Sequence, residues 1–212
     1  MDLPPPSSSS PSPQHSPYDD SNLVALTQEE ASRSAGQNGE NVYRPPIDLP
    51  DWLCVFLPCL SSLPSMVAFR ETQTDTALLY REFPRGFPGV SGGAGWVAYD
   101  ADAVVVGDTC KVECGMIAPA DMTVLDTSET SAIVDASKLT GQPSLGVSPN
   151  STLLAGCTVK SGGPVVGRVT HVGRSTVLAR LIKDGKFPCT SEMLEQASLL
   201  RSADGMDEEK GL

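Results

Sequence analysis

The second half of the chain consists of short apolar runs separated by turn residues, and this pattern constrains the fold more than any other feature of the sequence. From about Trp96 onward the runs are rich in Val and Thr and are interrupted by Gly, Pro and Asp. In two of them apolar and polar residues alternate, as expected of strands that bury one face. The apolar positions are Cys110, Val112 and Cys114 in the first run, and Leu153, Ala155, Cys157 and Val159 in the second. The pattern predicts a compact, mainly β domain.

The end of this region predicts a hairpin followed by helices. The segment Lys160–Pro164, Lys-Ser-Gly-Gly-Pro, is typical of a glycine hairpin that leads into a strand over residues 165–172. Residues 175–183 begin with Ser175 as a candidate N-cap and stop before Gly185, so they predict a short helix. A second helix is predicted over residues 191–201, and residues 204–212 form a charged tail.

The first 50 residues have little material for a hydrophobic core. They contain nine Pro, nine Ser and seven acidic residues against two basic ones. A segment with so few large apolar groups cannot bury enough surface to offset the loss of chain entropy. Residues 1–50 are therefore predicted to be a disordered Pro/Ser-rich tail.

The charge and the cysteine content limit the partners and the cellular location that we expect for this protein. The formal net charge is -11 and the basic residues are scattered, so no nucleic-acid partner is expected. The start of the chain has neither the basic residues nor the apolar run of a secretory signal, which makes the cytosol the default location. The six cysteines contain no Cys-x-x-Cys pair and are interpreted mainly as structural thiols, with a metal or redox role as the alternative.

An uncharged apolar segment precedes the β-rich region. It runs from Trp52 to Phe69 and approaches the length that spans a membrane. Pro58 and Pro64 interrupt it, which favours an interfacial or domain-packing segment over a transmembrane helix. Residues 51–95 are interpreted as an apolar linker, with a candidate membrane-proximal segment at residues 52–69.

Five short motifs occur in a fixed order between residues 104 and 176. They are Val104–Asp108 with Lys111 and Val112, Ile117–Asp121, Ile133–Pro143, Leu154–Val159 and Gly167–Thr176. Together they resemble the signatures of the actuator domain of cation-transporting P-type ATPases. The resemblance predicts an actuator domain over residues 96–186, followed by a helical linker and charged tail over residues 187–212.

The resemblance implies a fold, a site and partners. Actuator domains are small, distorted β jelly rolls with short flanking helices. In the family, a Thr-Gly-Glu-Ser loop meets the phosphorylated aspartate of a separate phosphorylation domain, and its Glu positions and helps to deprotonate the attacking water. The matching residues here are Thr140, Gly141, Gln142 and Pro143. The resemblance implies ATP and Mg²⁺ for the full-length family, with the phosphorylation domain and the transmembrane helices as partners of this domain. This chain itself is expected to bind no cofactor or metal.

Two residues of this loop depart from the family pattern. Gln142 replaces the carboxylate with an amide, which can hold water by a hydrogen bond but cannot accept a proton. Pro143 replaces Ser and removes a backbone donor from a loop that docks on a phosphate. The loop is therefore predicted to be impaired.

Three hypotheses for the whole chain remain open. It is a fragment or truncated relative of a P-type cation pump, a stand-alone regulatory module that binds a full-length pump, or a nonfunctional relic. The sequence contains no Asp-Lys-Thr-Gly phosphorylation motif, so no ATP hydrolysis is expected from this chain alone. The transported ion cannot be read, because motif cues for heavy-metal pumps and for alkali-metal or calcium pumps conflict. A pump fragment would lie at the cytoplasmic face of a membrane, and a stand-alone module in the cytoplasm.

Overall fold

The computed structural model describes residues 23–47, 62–83 and 93–190. Their strands form two antiparallel sheets. The larger sheet contains β1 (Thr76–Phe83), β2 (Gly93–Asp100), β3 (Thr109–Val112), β4 (Asp121–Thr127), β7 (Thr152–Leu153) and β9 (Val165–His171), in the order β2-β1-β3-β9-β4-β7. The smaller sheet contains β5 (Ala132–Ala136), β6 (Gln142–Val147) and β8 (Thr158–Ser161), in the order β6-β5-β8. The predicted fold class, mainly β, is confirmed.

Short helices flank the sheets. They are α1 (Gln28–Asn38), α2 (Pro64–Arg70), α3 (Ser137–Thr140) and α4 (Val177–Lys183). Single 3₁₀ turns occupy Ala101–Ala103 and Gly173–Ser175.

One hydrophobic cluster draws side chains from both sheets. Leu79 and Met122 come from the larger sheet, Val134 and Val159 from the smaller one, and Leu178 from α4; all five are fully buried. Because these side chains pack together, the two sheets and α4 form one core. Burial of apolar surface on this scale is the main source of stability for the domain.

The N-terminal segment contradicts the prediction of disorder over residues 1–50. Residues 23–47 are ordered and contain α1, whose N-cap Thr27 and third helical residue Glu30 form a reciprocal capping box. Asn41 is buried against the β domain. The sequence contains the Thr-x-x-Glu signature of the capping box, but the Pro/Ser-rich composition around it favours disorder. Residues 1–22 lie outside the described residues.

The stretch interpreted as a linker, residues 51–95, contains all of β1 and the start of β2. β1 and β2 pair along their whole length, from Thr76 opposite Asp100 to Phe83 opposite Gly93. β1 also pairs with β3, so it is an internal strand of the larger sheet. The predicted boundary at residue 96 is therefore wrong, because it cuts β2 and separates β1 from the sheet to which it belongs.

Most of the segment predicted to lie near a membrane is outside the residues that the structure describes. Of the segment 52–69, only residues 62–69 are described, and α2 begins within them. In the described parts of the chain, no helix is long and apolar enough to cross a membrane.

Three strand predictions need correction. Cys114 lies beyond the end of β3 and is exposed, whereas Cys110 is buried. The run from Leu153 to Val159 is not one strand: β7 ends at Leu153, a turn follows, and β8 begins at Thr158. The segment 160–164 is not a hairpin, because β8 pairs with β5 while β9 pairs with β3 and β4. It carries the chain from one sheet to the other.

The predicted helix over residues 175–183 is present with a different cap. Thr176, not Ser175, is the N-cap of α4, and its hydroxyl oxygen accepts a hydrogen bond from the Ala179 backbone N–H. The helix predicted over residues 191–201 and the charged tail lie outside the described residues.

Two of the described cysteines agree with the prediction that the thiols are structural. Cys110 and Cys157 are buried, and burial raises the pKa of each thiol to about 12. Such thiols stay protonated and unreactive near neutral pH. Cys54 and Cys59 lie outside the description.

Candidate functional site

The candidate loop, Thr140–Pro143, lies at the turn between two paired strands of the smaller sheet. β5 ends at Ala136, α3 makes a single helical turn, and β6 begins at Gln142 directly opposite Ala136. The turn is held against the core by Leu139, which is 4% exposed. The loop therefore projects from a fixed hairpin whose base is part of the domain core.

Gly141 closes the turn of α3. Its backbone is in the left-handed region, with φ 77° and ψ 3°, and its N–H donates to the Ser137 carbonyl at 2.9 Å. Glycine reaches this conformation without the steric cost that a Cβ brings. The Thr140 hydroxyl donates to the Ala136 carbonyl at 3.2 Å, so it satisfies a backbone group of the preceding turn. These two residues shape the loop.

Gln142 and Pro143 are the exposed residues of the loop. Both lie at the start of β6, which is an edge strand of its sheet. An edge strand tolerates proline because the missing N–H can face away from the ladder. The scaffold therefore accommodates Pro143, and the Gln142 amide is presented to solvent.

Asp135 and Lys160 connect the two sides of the loop. The Lys160 ammonium contacts Asp135 Oδ2 at 2.9 Å and donates to the Pro143 carbonyl at 2.9 Å. Asp135 Oδ1 accepts a hydrogen bond from the Ser137 N–H at 2.9 Å. The hydrogen bond from Lys160, followed by those from Ser137, lowers the pKa of the Asp135 carboxyl to about 2. Sequence reasoning did not find Lys160, since its link to the loop depends on the pairing of β5 with β8.

A second lysine ties α3 to neighbouring segments. Lys138 pairs with the Glu71 carboxylate at 2.8 Å, just after α2, and its carbonyl accepts a hydrogen bond from the Cys189 N–H at 2.8 Å. The Lys138 contacts lower the pKa of the exposed Glu71 carboxyl. The helix of the loop is thus anchored on its other side as well.

Comparison with known proteins decides the family. Residues 89–186 match the family model described as the P-type ATPase actuator domain. This part of the chain is a P-type ATPase actuator domain. The match includes the whole candidate loop and all strands from β2 to β9, and β1 lies before it.

The curated relatives are full-length pumps. Copper-transporting ATPase 1 of Rhizobium meliloti is 35% identical over 94 residues, which is 44% of this chain and 11% of that protein. The copper-exporting P-type ATPase of Legionella pneumophila is 35% identical over 82 residues, 39% of this chain and 11% of that protein. The chain thus spans about a tenth of the length of these relatives. Among solved structures, a zinc-transporting PIB-type ATPase in its E2.Pi state aligns with 72% of this chain and 19% of its own, at 18% identity and a TM-score of 0.43.

Two aspartates of the actuator-domain motifs hold the scaffold together. Asp108 forms a buried ion pair with Arg81, with contacts of 2.7 and 3.0 Å, and also accepts the Val105 N–H at 2.9 Å. The Arg81 guanidinium lies 4.6 Å above the centre of the Tyr99 ring, a cation–π contact. Asp108 thereby connects β1 to the turn that precedes β3.

Asp121, the first residue of β4, connects the turn after β7 to the start of α4. Its carboxylate accepts the Ala155 N–H and the Val177 N–H, each at 2.8 Å. Burial raises the pKa of this carboxyl, and the two backbone hydrogen bonds oppose that rise. Neither Asp108 nor Asp121 belongs to the candidate loop, so these motif residues are part of the framework.

The chemistry available at the loop is limited to hydrogen bonding. The Gln142 amide can donate to and accept from a water or a phosphoryl oxygen, but no carboxylate replaces it within the loop. His171 is exposed at the end of β9, with Nδ1 3.2 Å from the Thr170 hydroxyl. Across the described residues, no group of three or more His, Cys, Asp or Glu side chains could hold a metal ion.

Proposed function

We propose that this actuator domain acts in a P-type ATPase that transports a heavy-metal cation. The two relatives described above are copper pumps by name, and their similarity covers the actuator domain. The partners would be the phosphorylation domain, which receives phosphate from ATP with Mg²⁺, and the transmembrane helices that carry the ion. The domain would then lie on the cytoplasmic face of the membrane.

The candidate loop would be the part that meets the aspartyl phosphate. The supporting observation is its position: Gln142 is exposed at the start of β6, directly after the turn of a hairpin whose two strands and helical turn are anchored in the core. A rigid hairpin with an exposed polar side chain beside its turn suits a loop that docks on another domain and orients a water molecule there.

The amide of Gln142 determines how fast we expect the phosphorylated aspartate to be hydrolysed when this loop is docked on it. An amide orients water but does not take its proton, and general-base catalysis contributes about 10² to 10⁴ in rate. The domain should therefore support docking on the phosphorylated aspartate with slow hydrolysis. In this proposal the phosphorylated state is long-lived.

A loop graft into an active copper pump tests the proposal. Residues 139–143 replace the equivalent loop, and the pump is labelled with radioactive ATP. Phosphorylation should remain, since that step uses other domains, while decay of the phosphoenzyme slows by about 10² to 10⁴. Gln142→Glu in the graft should restore much of the decay, and Pro143→Ser added to it should show whether the proline also hinders docking.

The matched control is Gln142→Asn, which keeps an amide and should leave decay slow. Normal decay of the unreverted graft would contradict the proposal, because it would show that the amide suffices. Loss of phosphorylation in every graft would mean that the loop does not fit this family's phosphorylation step.

A further inference from the structure

Lys160 contacts the candidate loop although it is distant from it in sequence. It lies on β8, between Val159, which pairs with Val134, and Ser161, which pairs with Ile133. Its side chain is 47% exposed. From this position the ammonium reaches across β5 to the Pro143 carbonyl on β6. One side chain therefore touches all three strands of the smaller sheet.

The contacts of Lys160 bracket the loop. On one side, Asp135 receives the ammonium at Oδ2 and the Ser137 N–H at Oδ1, so this carboxylate links Lys160 to the first residue of α3. On the other side, the Pro143 carbonyl is the backbone group that follows Gln142. The segment between these two contacts is α3, Gly141 and Gln142.

An exposed ion pair alone would mean little, because such pairs contribute about 0 to 1 kcal/mol to stability. Lys160 differs in that the same ammonium also binds a backbone carbonyl of the loop, on an edge strand whose pairing with β5 is irregular between Val134 and Ala136. Where the ladder is interrupted, a side-chain hydrogen bond to the backbone can determine the path of the strand.

We propose that Lys160 is a positioning residue that holds Gln142 in place by tying Asp135 and the Pro143 carbonyl together across the smaller sheet. Its effect on order in the loop is independent of catalysis. Its effect on phosphoenzyme decay rests on the proposed function.

The first test uses the full chain and NMR spectroscopy. In Lys160→Met, the pKa of the Asp135 carboxyl should rise from about 2 toward its ordinary value of 3.8, because the first cause of the lowered value is removed. Amide exchange at Ser137 and Gln142 should accelerate about tenfold, which corresponds to about 1.4 kcal/mol of local opening free energy. The unfolding midpoint should change little, since the side chain is half exposed.

The direction of the pH effect follows from the lowered pKa of Asp135. Because the folded carboxyl titrates below 3.8, its contact with Lys160 stabilises the native state fully above about pH 4 and is lost as the pH falls through about 2. Lys160→Met should weaken this dependence, and the hydrogen bonds from Ser137 account for the part that remains.

Two variants serve as controls. Lys160→Arg keeps the charge and should retain a lowered Asp135 pKa and slow exchange. Lys138→Met removes the lysine of α3, which pairs with Glu71, and should leave the Asp135 pKa unchanged. The positioning role would be overturned if Lys160→Met and the parent chain had the same amide exchange rates and the same Asp135 pKa.

A kinetic arm separates this inference from the proposed function. In a pump whose actuator domain is replaced by residues 23–190 with Gln142→Glu, Lys160→Met should slow phosphoenzyme decay and Lys160→Arg should restore it. Disorder of the loop in the NMR experiment with unchanged decay would uphold positioning and count against the catalytic role of the loop. Ordered NMR signals in Lys160→Met would overturn positioning whatever the decay rate.

Discussion

At the scale of single residues, Arg81 and Asp108 form the most buried charged pair among the ion pairs of the described chain. Their side chains are 4% and 0% exposed, and the pair makes two hydrogen bonds between charged groups. Arg81 also donates to the Ala103 carbonyl at 2.9 Å. A charge this deeply buried is tolerated only while its partner and its hydrogen bonds are present.

Asp108→Ala should therefore destabilise the domain by about 3 to 5 kcal/mol, since it leaves the Arg81 charge buried without its partner. The measurement is urea unfolding of the full chain. Glu113→Ala is the matched control: it removes an exposed carboxylate that lies 3.7 Å from the Lys111 ammonium, and it should change stability by about 0 to 1 kcal/mol. Equal effects of the two substitutions would contradict this account of Asp108.

At the scale of elements, the β5–α3–β6 hairpin shows how one backbone conformation determines the shape of the candidate loop. α3 has a single turn and is capped by Gly141, whose positive φ redirects the chain into β6. Gln142 then pairs opposite Ala136, so the chain rejoins the sheet directly after the turn. The loop conformation thus depends on a residue that tolerates the left-handed region.

Gly141→Ala should cost about 1 to 2 kcal/mol, because a Cβ in the left-handed region approaches the neighbouring carbonyl. Gly36→Ala is a control of opposite sign. Gly36 lies inside α1, where an added Cβ would have no atom within 4 Å, and alanine is favoured there by about 0.8 to 1.0 kcal/mol. Thermal unfolding of both variants measures the difference. Stabilisation by Gly141→Ala would show that the loop adopts another conformation in solution.

At the scale of the whole molecule, the N-terminal segment is part of the domain. The Asn41 side chain donates to the Ala101 and Pro119 carbonyls and accepts the Gly173 N–H, each at 2.9 Å. The Val24 carbonyl accepts a hydrogen bond from the Thr109 hydroxyl at 3.0 Å. These contacts connect residues before 47 to both ends of the family match.

Limited proteolysis should therefore yield a resistant fragment that begins before residue 40. Removing residues 1–47 should destabilise the remainder, because the Gly173 N–H and the Pro119 carbonyl lose buried partners, at about 1 to 3 kcal/mol for each unsatisfied group. Mass spectrometry locates the start of the fragment, and urea unfolding compares the truncated and full chains. A stable fragment that starts near residue 51 would restore the boundary inferred from composition.

Local patterns in the sequence were sufficient for much of the fold. Alternation of apolar residues predicted buried positions at Cys110, Val112 and Val159, and these are buried. The ordered motifs led to the actuator domain, and the family match confirms it. The place of Gln142 beside a turn glycine could also be predicted, since both are neighbours along the chain.

Other features were decided only by tertiary structure. The pairing of β8 with β5, and not with β9, joins segments about 25 residues apart and depends on which faces become buried together. That pairing brings Lys160 to Asp135 and the Pro143 carbonyl. Likewise, the Asn41 side chain is held by two backbone carbonyls and one backbone N–H that come from three distant parts of the chain. Composition and periodicity act over a few residues, so they indicated a mainly β domain and several buried strand positions, and the ordered motifs indicated the chemistry of the loop. Contacts between distant segments determined the strand pairing and the residues that lie against the loop.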